Sequence, residues 1–163
     1  MPTSPTDAAF ECVFLVKDAL AHYVAIHDRI FHQQATLGSF LRNLLGRGPD
    51  YAELLDKARS ADELWSTVHE HVAACYSTFR ESFTPEEHDF FDAMIPYVQA
   101  VKRTTALLYR RQEALRAKLE GHPLTLSAYR QIEREYEHSV EDYVRLAAAL
   151  QPRTERLFER KTT

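Results

Sequence analysis

The chain has 163 residues, a formal net charge of -4 and only four glycines. That length suits one domain with a real core, and the negative balance excludes a global attraction to nucleic acid or an anionic membrane, leaving either to local patches. So few glycines disfavour a turn-rich β fold, because tight turns draw on glycine for positive φ.

The first predicted helix opens at Ser4-Pro5-Thr6-Asp7, which offers an N-cap, a proline at the first helical position and an acid in the first turn. Residues 1–4 are expected to be a flexible tail. The helix carries an apolar stripe of Val13, Val16, Leu20, Tyr23, His27, Ile30, Leu37, Leu41 and Leu44, at spacings that return to one helix face. Gly46-Arg47-Gly48-Pro49 breaks it. Residues 46–59 read as a connecting segment, with a short helix near 50–58 as the alternative. A capping box at Ser60 and Glu63 then opens the second long helix, whose stripe is Trp65, Val68, Val72, Tyr76, Phe79 and Phe83.

Thr84-Pro85-Glu86-Glu87 starts a third helix that runs to Gly121-His122-Pro123, about 50 Å at 1.5 Å per residue. Phe91, Met94, Val98, Val101, Thr105, Leu108, Gln112, Leu115 and Leu119 mark its buried side, and Pro96 is expected to kink it. Thr125 or Ser127 caps a fourth helix with Tyr129, Ile132, Tyr136, Val140, Tyr143, Ala147, Leu150 and Leu157 on its stripe and Pro152 near its end. The periodicity thus implies one all-α domain over 1–163: an elongated antiparallel bundle of three to four long, coiled-coil-like helices.

Chemistry is sparse. The segment WSTVHEHVAACY, residues 65–76, places two histidines and a cysteine close together. On a helix, however, His69 and His71 point about 200° apart. His71 and Cys75 share a face, giving two donors where a structural zinc takes four, and the remainder would have to come from other helices, for instance from His27. The single Glu135-x-x-His138 is half of what a di-iron bundle needs. The sequence therefore leads to an expectation of no metal and no cofactor, with Cys75 as a small core residue. His27 lies on the core stripe, which calls for a hydrogen-bond partner such as Tyr129, Tyr136 or Tyr143. No phosphate loop, nucleophile elbow or carboxylate pair is visible, so a non-catalytic protein is expected. Cys12 and Cys75, the only cysteines, read as reduced thiols of an intracellular protein. The opening residues MPTSPTD lack a signal-peptide pattern, and no apolar run approaches the ~20 residues of a membrane span.

Charge is unevenly spread. Lys102, Arg103, Arg110, Arg111, Arg116 and Lys118 face only Glu113 within their own stretch, while Glu133, Glu135, Glu137, Glu141 and Asp142 make the fourth helix acidic. Two readings stay open: solvated faces joined by ion pairs, or a basic stripe for an anionic surface. The stripe has no interleaved aromatics at exposed positions, which disfavours single-stranded nucleic acid.

Several short motifs resemble the BAR domains of sorting nexins. Cys75-Tyr76, Pro96-Tyr97-Val98 and Arg110-Arg111 followed by Leu115 and Leu119 are similar to their second-helix region, and Leu37-Gly38-Ser39-Phe40-Leu41 is similar to a stretch of their first long helix. The resemblance covers about half the chain. It implies a helical protomer that dimerises into a curved rod and binds anionic, curved membrane through the six basic residues just named. Gly46 to Pro49 departs from that family by interrupting the long first helix.

The sequence reading is thus a non-catalytic helical scaffold or interaction protein. It would be a homodimer, cytoplasmic and peripheral to a membrane if BAR-like, with no nucleic-acid partner. Its alternatives are a cytosolic bundle that binds a protein partner, and a small-molecule- or metal-binding bundle lined by His27, His71, Cys75 and the tyrosines.

Overall fold

The computed structural model describes residues 2–35 and 50–161. They form four long helices: α1 (Pro5–Ala35), α2 (Tyr51–Phe79), α3 (Pro85–Leu119) and α4 (Leu126–Lys161), with one turn of 3-10 helix at Arg80–Ser82. There is no strand among the described residues, and the protein is all-α. The glycine break at 46–49, and with it Leu37, Leu41 and Leu44 of the first stripe, lies outside the described residues.

Most helix ends follow the local chemistry. Ser4 Oγ accepts from the Asp7 amide at 3.1 Å, and Thr125 Oγ1 accepts from the Ala128 amide at 3.2 Å. Thr84 and Glu87 make a reciprocal capping box, Thr84 Oγ1 accepting from the Glu87 amide and Glu87 Oε2 from the Thr84 amide. Gly121 follows α3 with φ +91°, a conformation in which a β-carbon would be strained.

The start of α2 is a correction. Asp50 is its N-cap, accepting from the amides of Ala52 and Glu53, whereas Ser60 sits exposed inside the helix. Residues 51–59 are therefore helix rather than connection. The physical reason is that Leu54, Leu55, Ala58 and Ala61 continue the stripe of Trp65 toward the N-terminus, and all are buried. Pro96 and Pro152 both lie within continuous helices. Each removes one backbone donor, and around Pro96 the buried Met94, Tyr97 and Val98 hold the helix through that loss.

Contacts between helices pair early residues of one with late residues of the next, so chain neighbours run antiparallel. Arg29–Glu53 and Glu11–His71 tie α1 to α2, and Asp89–Arg153 and Arg110–Glu135 tie α3 to α4. Trp65, Phe90, Phe91, Val98 and Leu108 are wholly buried between them. The backbones of α1 and α4 stay farther apart than those of the other neighbours, and long side chains bridge the gap. Tyr23 Oη and Tyr136 Oη share a buried hydrogen bond of 2.8 Å there, and Phe10 meets Phe158 edge to face. This looser seam is where a site can form.

Candidate functional site

Toward the C-terminal end of α1 the seam opens into a pocket of about 310 Å³. One wall is aromatic. His27, Phe31 and Tyr136 lie nearly parallel, with ring centroids 4.5 Å (His27–Phe31) and 5.8 Å (Phe31–Tyr136) apart. They come from α1 positions 27 and 31, one turn apart, and from the α4 position facing them. Val140 extends the apolar wall. The rim along α4 is acidic: Glu133, Glu137 and Glu141 recur every four residues, so they form one row.

Arg111 closes the inner side. Its guanidinium donates to Glu133 Oε1 at 2.9 Å and to Tyr129 Oη at 2.8 Å, while Tyr129 donates to Glu133 Oε1 at 2.6 Å. Its Cζ sits 4.9 Å from the centre of the Phe31 ring. Burial, then the hydrogen bond to Glu133, pushes the Tyr129 hydroxyl up to about 12, so it stays a neutral donor at physiological pH. The positive charge of Arg111 is thereby matched by Glu133, and the remaining carboxylates of the row, Glu137 and Glu141, leave the mouth negative.

His27 differs from its expected role. Its side chain is 34% exposed at the pocket edge, and its ring nitrogen faces Asp28 rather than a tyrosine. The tyrosines expected to satisfy it bond elsewhere: Tyr136 to Tyr23, and Tyr129 to Glu133. The stripe register is right, but the seam between α1 and α4 is too wide at this level to bury the position. His27→Asp should accordingly cost less than about 1.5 kcal/mol in urea unfolding, not the several expected of a buried unpaired charge.

The six basic residues do not share one open face. Arg111 is buried, and a side chain so enclosed does not present its charge to a surface. Arg110 pairs with Glu135 at 3.0 Å and Arg116 with Glu120 at 2.9 Å. Lys118 Nζ donates to the carbonyl of Leu124 at 3.1 Å. Lys102 is half-buried near Asp62, whose carboxyl is held above the usual range by burial. Arg103 and Lys118 are exposed with no ion pair among the described residues.

At the other end of α1, His71 and Cys75 do share a face, and the further donor is Cys12, not His27. The ligating atoms of Cys12, His71 and Cys75 lie within 4.8 Å of one another. The sequence treated Cys75 as a core residue and Cys12 only as a reduced thiol, and both are buried. What linear reading could not supply is the register between α1 and α2 that sets Cys12 level with Cys75. Burial raises both thiols above the ordinary range, and the Glu11 carboxylate pushes each the same way. Phe31 was also missed. It lies one turn beyond His27 on α1 and faces the same seam.

No family model, no curated protein and no solved structure matches the chain. No helix among the described residues is long and apolar enough to cross a membrane.

Proposed function

We propose that this protein is a non-catalytic helical-bundle binding protein whose pocket between α1, α3 and α4 takes a small organic cation with a flat apolar body. The observation that carries this reading is the combination of a parallel aromatic wall with a row of carboxylates in one cavity. Pockets for small molecules are mainly apolar with a few polar groups that set orientation, and 310 Å³ lies at the small end of their range. The His27, Phe31 and Tyr136 rings stack on one another, and the open side of that stack suits a planar group. Glu137 and Glu141 suit a positive charge at the mouth. The protein already sets one cation, Arg111, against Phe31, so this wall accepts a guanidinium-like group.

The test uses three probes of similar size: benzyltrimethylammonium, neutral neopentylbenzene and anionic benzoate. Amide chemical-shift titration should show saturable binding of the cation alone. The shifts should centre on His27, Phe31 and Val140, and the affinity should fall at least fivefold in Glu137→Gln/Glu141→Gln. Equal responses to all three probes, or shifts scattered over the surface, would remove the reading.

A second reading is the elongated, coiled-coil-like scaffold, a homodimer bound to an anionic membrane, which the exposed Arg103 favours. Each unpaired Lys or Arg near an anionic bilayer contributes about 1 kcal/mol, and the carboxylates beside Arg110, Arg111 and Arg116 offset most of that attraction. We expect the wild type to remain in the supernatant with anionic liposomes at low salt. Pelleting that is abolished by Arg103→Glu with Arg110→Glu would establish the membrane scaffold instead.

A further inference from the structure

The geometry points to a second, separate site: Cys12 Sγ, His71 Nε2 and Cys75 Sγ, with the Glu11 carboxylate in the fourth position, bind a thiophilic d10 cation of the Zn2+ class. It does not depend on the pocket reading, since Cys12 and His27 are fifteen positions apart on α1, about 22 Å.

Three distances converge. The three donor atoms lie within 4.8 Å of one another. A tetrahedral zinc with bonds of about 2.3 Å to sulfur and 2.0 Å to nitrogen needs S···S edges of about 3.8 Å and S···N edges of about 3.5 Å. Cys75 Sγ and His71 Nε2 are already 3.5 Å apart. Glu11 Oε1 lies 3.0 Å from the same His71 nitrogen, close to the ~3.3 Å that an N–Zn–O edge spans. The set in place is thus two thiols and one imidazole from two adjacent helices, and Glu11, beside His71 on the rim, is the carboxylate placed to swing in as the fourth donor.

Each helix supplies its pair by simple periodicity. His71 and Cys75 are one turn apart on α2, and Glu11 and Cys12 are consecutive on α1, with Cys12 turned inward and Glu11 turned to the rim. Antiparallel packing brings the pairs together. The cluster is also reachable: a cavity of about 130 Å³, bounded by Pro2, Ala74, Thr78 and Phe79, opens onto His71 and Cys75. A soft or borderline cation follows from the donors, because thiolate and imidazole select Zn2+ or Cu+ over Mg2+ and Ca2+. Binding exchanges the cation for two thiol protons, which pass to solvent, and nothing is oxidised or reduced.

The experiment uses the full, untagged chain, stripped of metal with a chelator and kept reduced so that the neighbouring thiols are not joined as a disulfide. Titration with Co2+ should produce a thiolate-to-cobalt charge-transfer band in the near ultraviolet that saturates at one ion per chain. Zn2+ should then displace it. Cys75→Ser and His71→Ala should each weaken Zn2+ binding at least 100-fold, and Glu11→Gln roughly 10-fold. His69→Ala, one residue outside the cluster on α2, should leave binding unchanged. Circular dichroism of His71→Ala separates lost binding from lost folding, because that side chain is only half-buried. Absence of the charge-transfer band, or Zn2+ binding undiminished in both Cys75→Ser and His71→Ala, would assign the two thiols to packing alone and overturn the site.

Discussion

Trp65→Ala should lower the melting midpoint by roughly 10 °C, the largest drop of any single truncation outside the charged network. Trp65 has no exposed surface and is among the largest wholly buried side chains. It stands in α2 between Ala61 and Val68, both also fully buried, so the helix cannot tilt to close the gap. Truncating a buried tryptophan costs about 3–5 kcal/mol through lost transfer energy and the cavity left behind. For a chain of this size each kcal/mol shifts the midpoint by about 2–4 °C. Trp65→Phe makes the informative contrast. The indole N–H has no acceptor among the described residues, so the substitution removes an unsatisfied donor along with some volume. Its cost should stay below about 2 kcal/mol. Equal losses for Ala and Phe in thermal denaturation would show that ring volume is not what Trp65 supplies.

The stripe of Trp65, Val68 and Val72 was readable because helical periodicity is a local property of the chain. The same holds for the caps at Ser4, Thr84 and Thr125 and the stop at Gly121. The early start of α2 was not. Asp50 and Ser60 are both good caps, and what decides between them is the burial of Leu54, Leu55 and Ala58 against other helices. His27 shows the limit from the other side. Its register was right and its burial was not, because the width of a seam between two helices is set by all the side chains along it.

The sites were harder to see for the same reason. A pair such as His71 and Cys75 is visible within one helix, but Cys12, which lies beside it, comes from about sixty residues away on α1. The basic segment illustrates a different gap. Lys102 to Lys118 looks uniformly positive when read along α3, and the acids that answer it belong to α4. Sequence order separates Arg110 from Glu135 and Arg111 from Glu133, while antiparallel packing places each pair within 3.0 Å.

Arg111→Ala and Arg110→Ala, adjacent in sequence, should differ sharply. The Arg111 side chain is 6% exposed and bonds both Glu133 and Tyr129, whereas Arg110 is 59% exposed with a single partner, Glu135. Losing one member of a buried pair costs about 3–5 kcal/mol because a charge is left without its counterion. Glu133 is 36% exposed and keeps its hydrogen bond from Tyr129, which reduces the expected loss for Arg111→Ala to about 2–3 kcal/mol. Arg110→Ala should cost under about 1 kcal/mol, as solvent already screens that pair. The double variant Arg111→Met/Glu133→Leu removes both charges and keeps most of the buried volume. It should recover most of the stability in urea unfolding, since a well-packed apolar replacement can equal a buried ion pair. In the same variant the aromatic wall persists while the inner polar group that orients a ligand is gone, so binding of the benzyltrimethylammonium probe should weaken without being lost. If Arg110→Ala proves as destabilising as Arg111→Ala, the buried network is not what anchors α4 to α3 at this end. The pocket would then lack the fixed inner wall on which its selectivity depends.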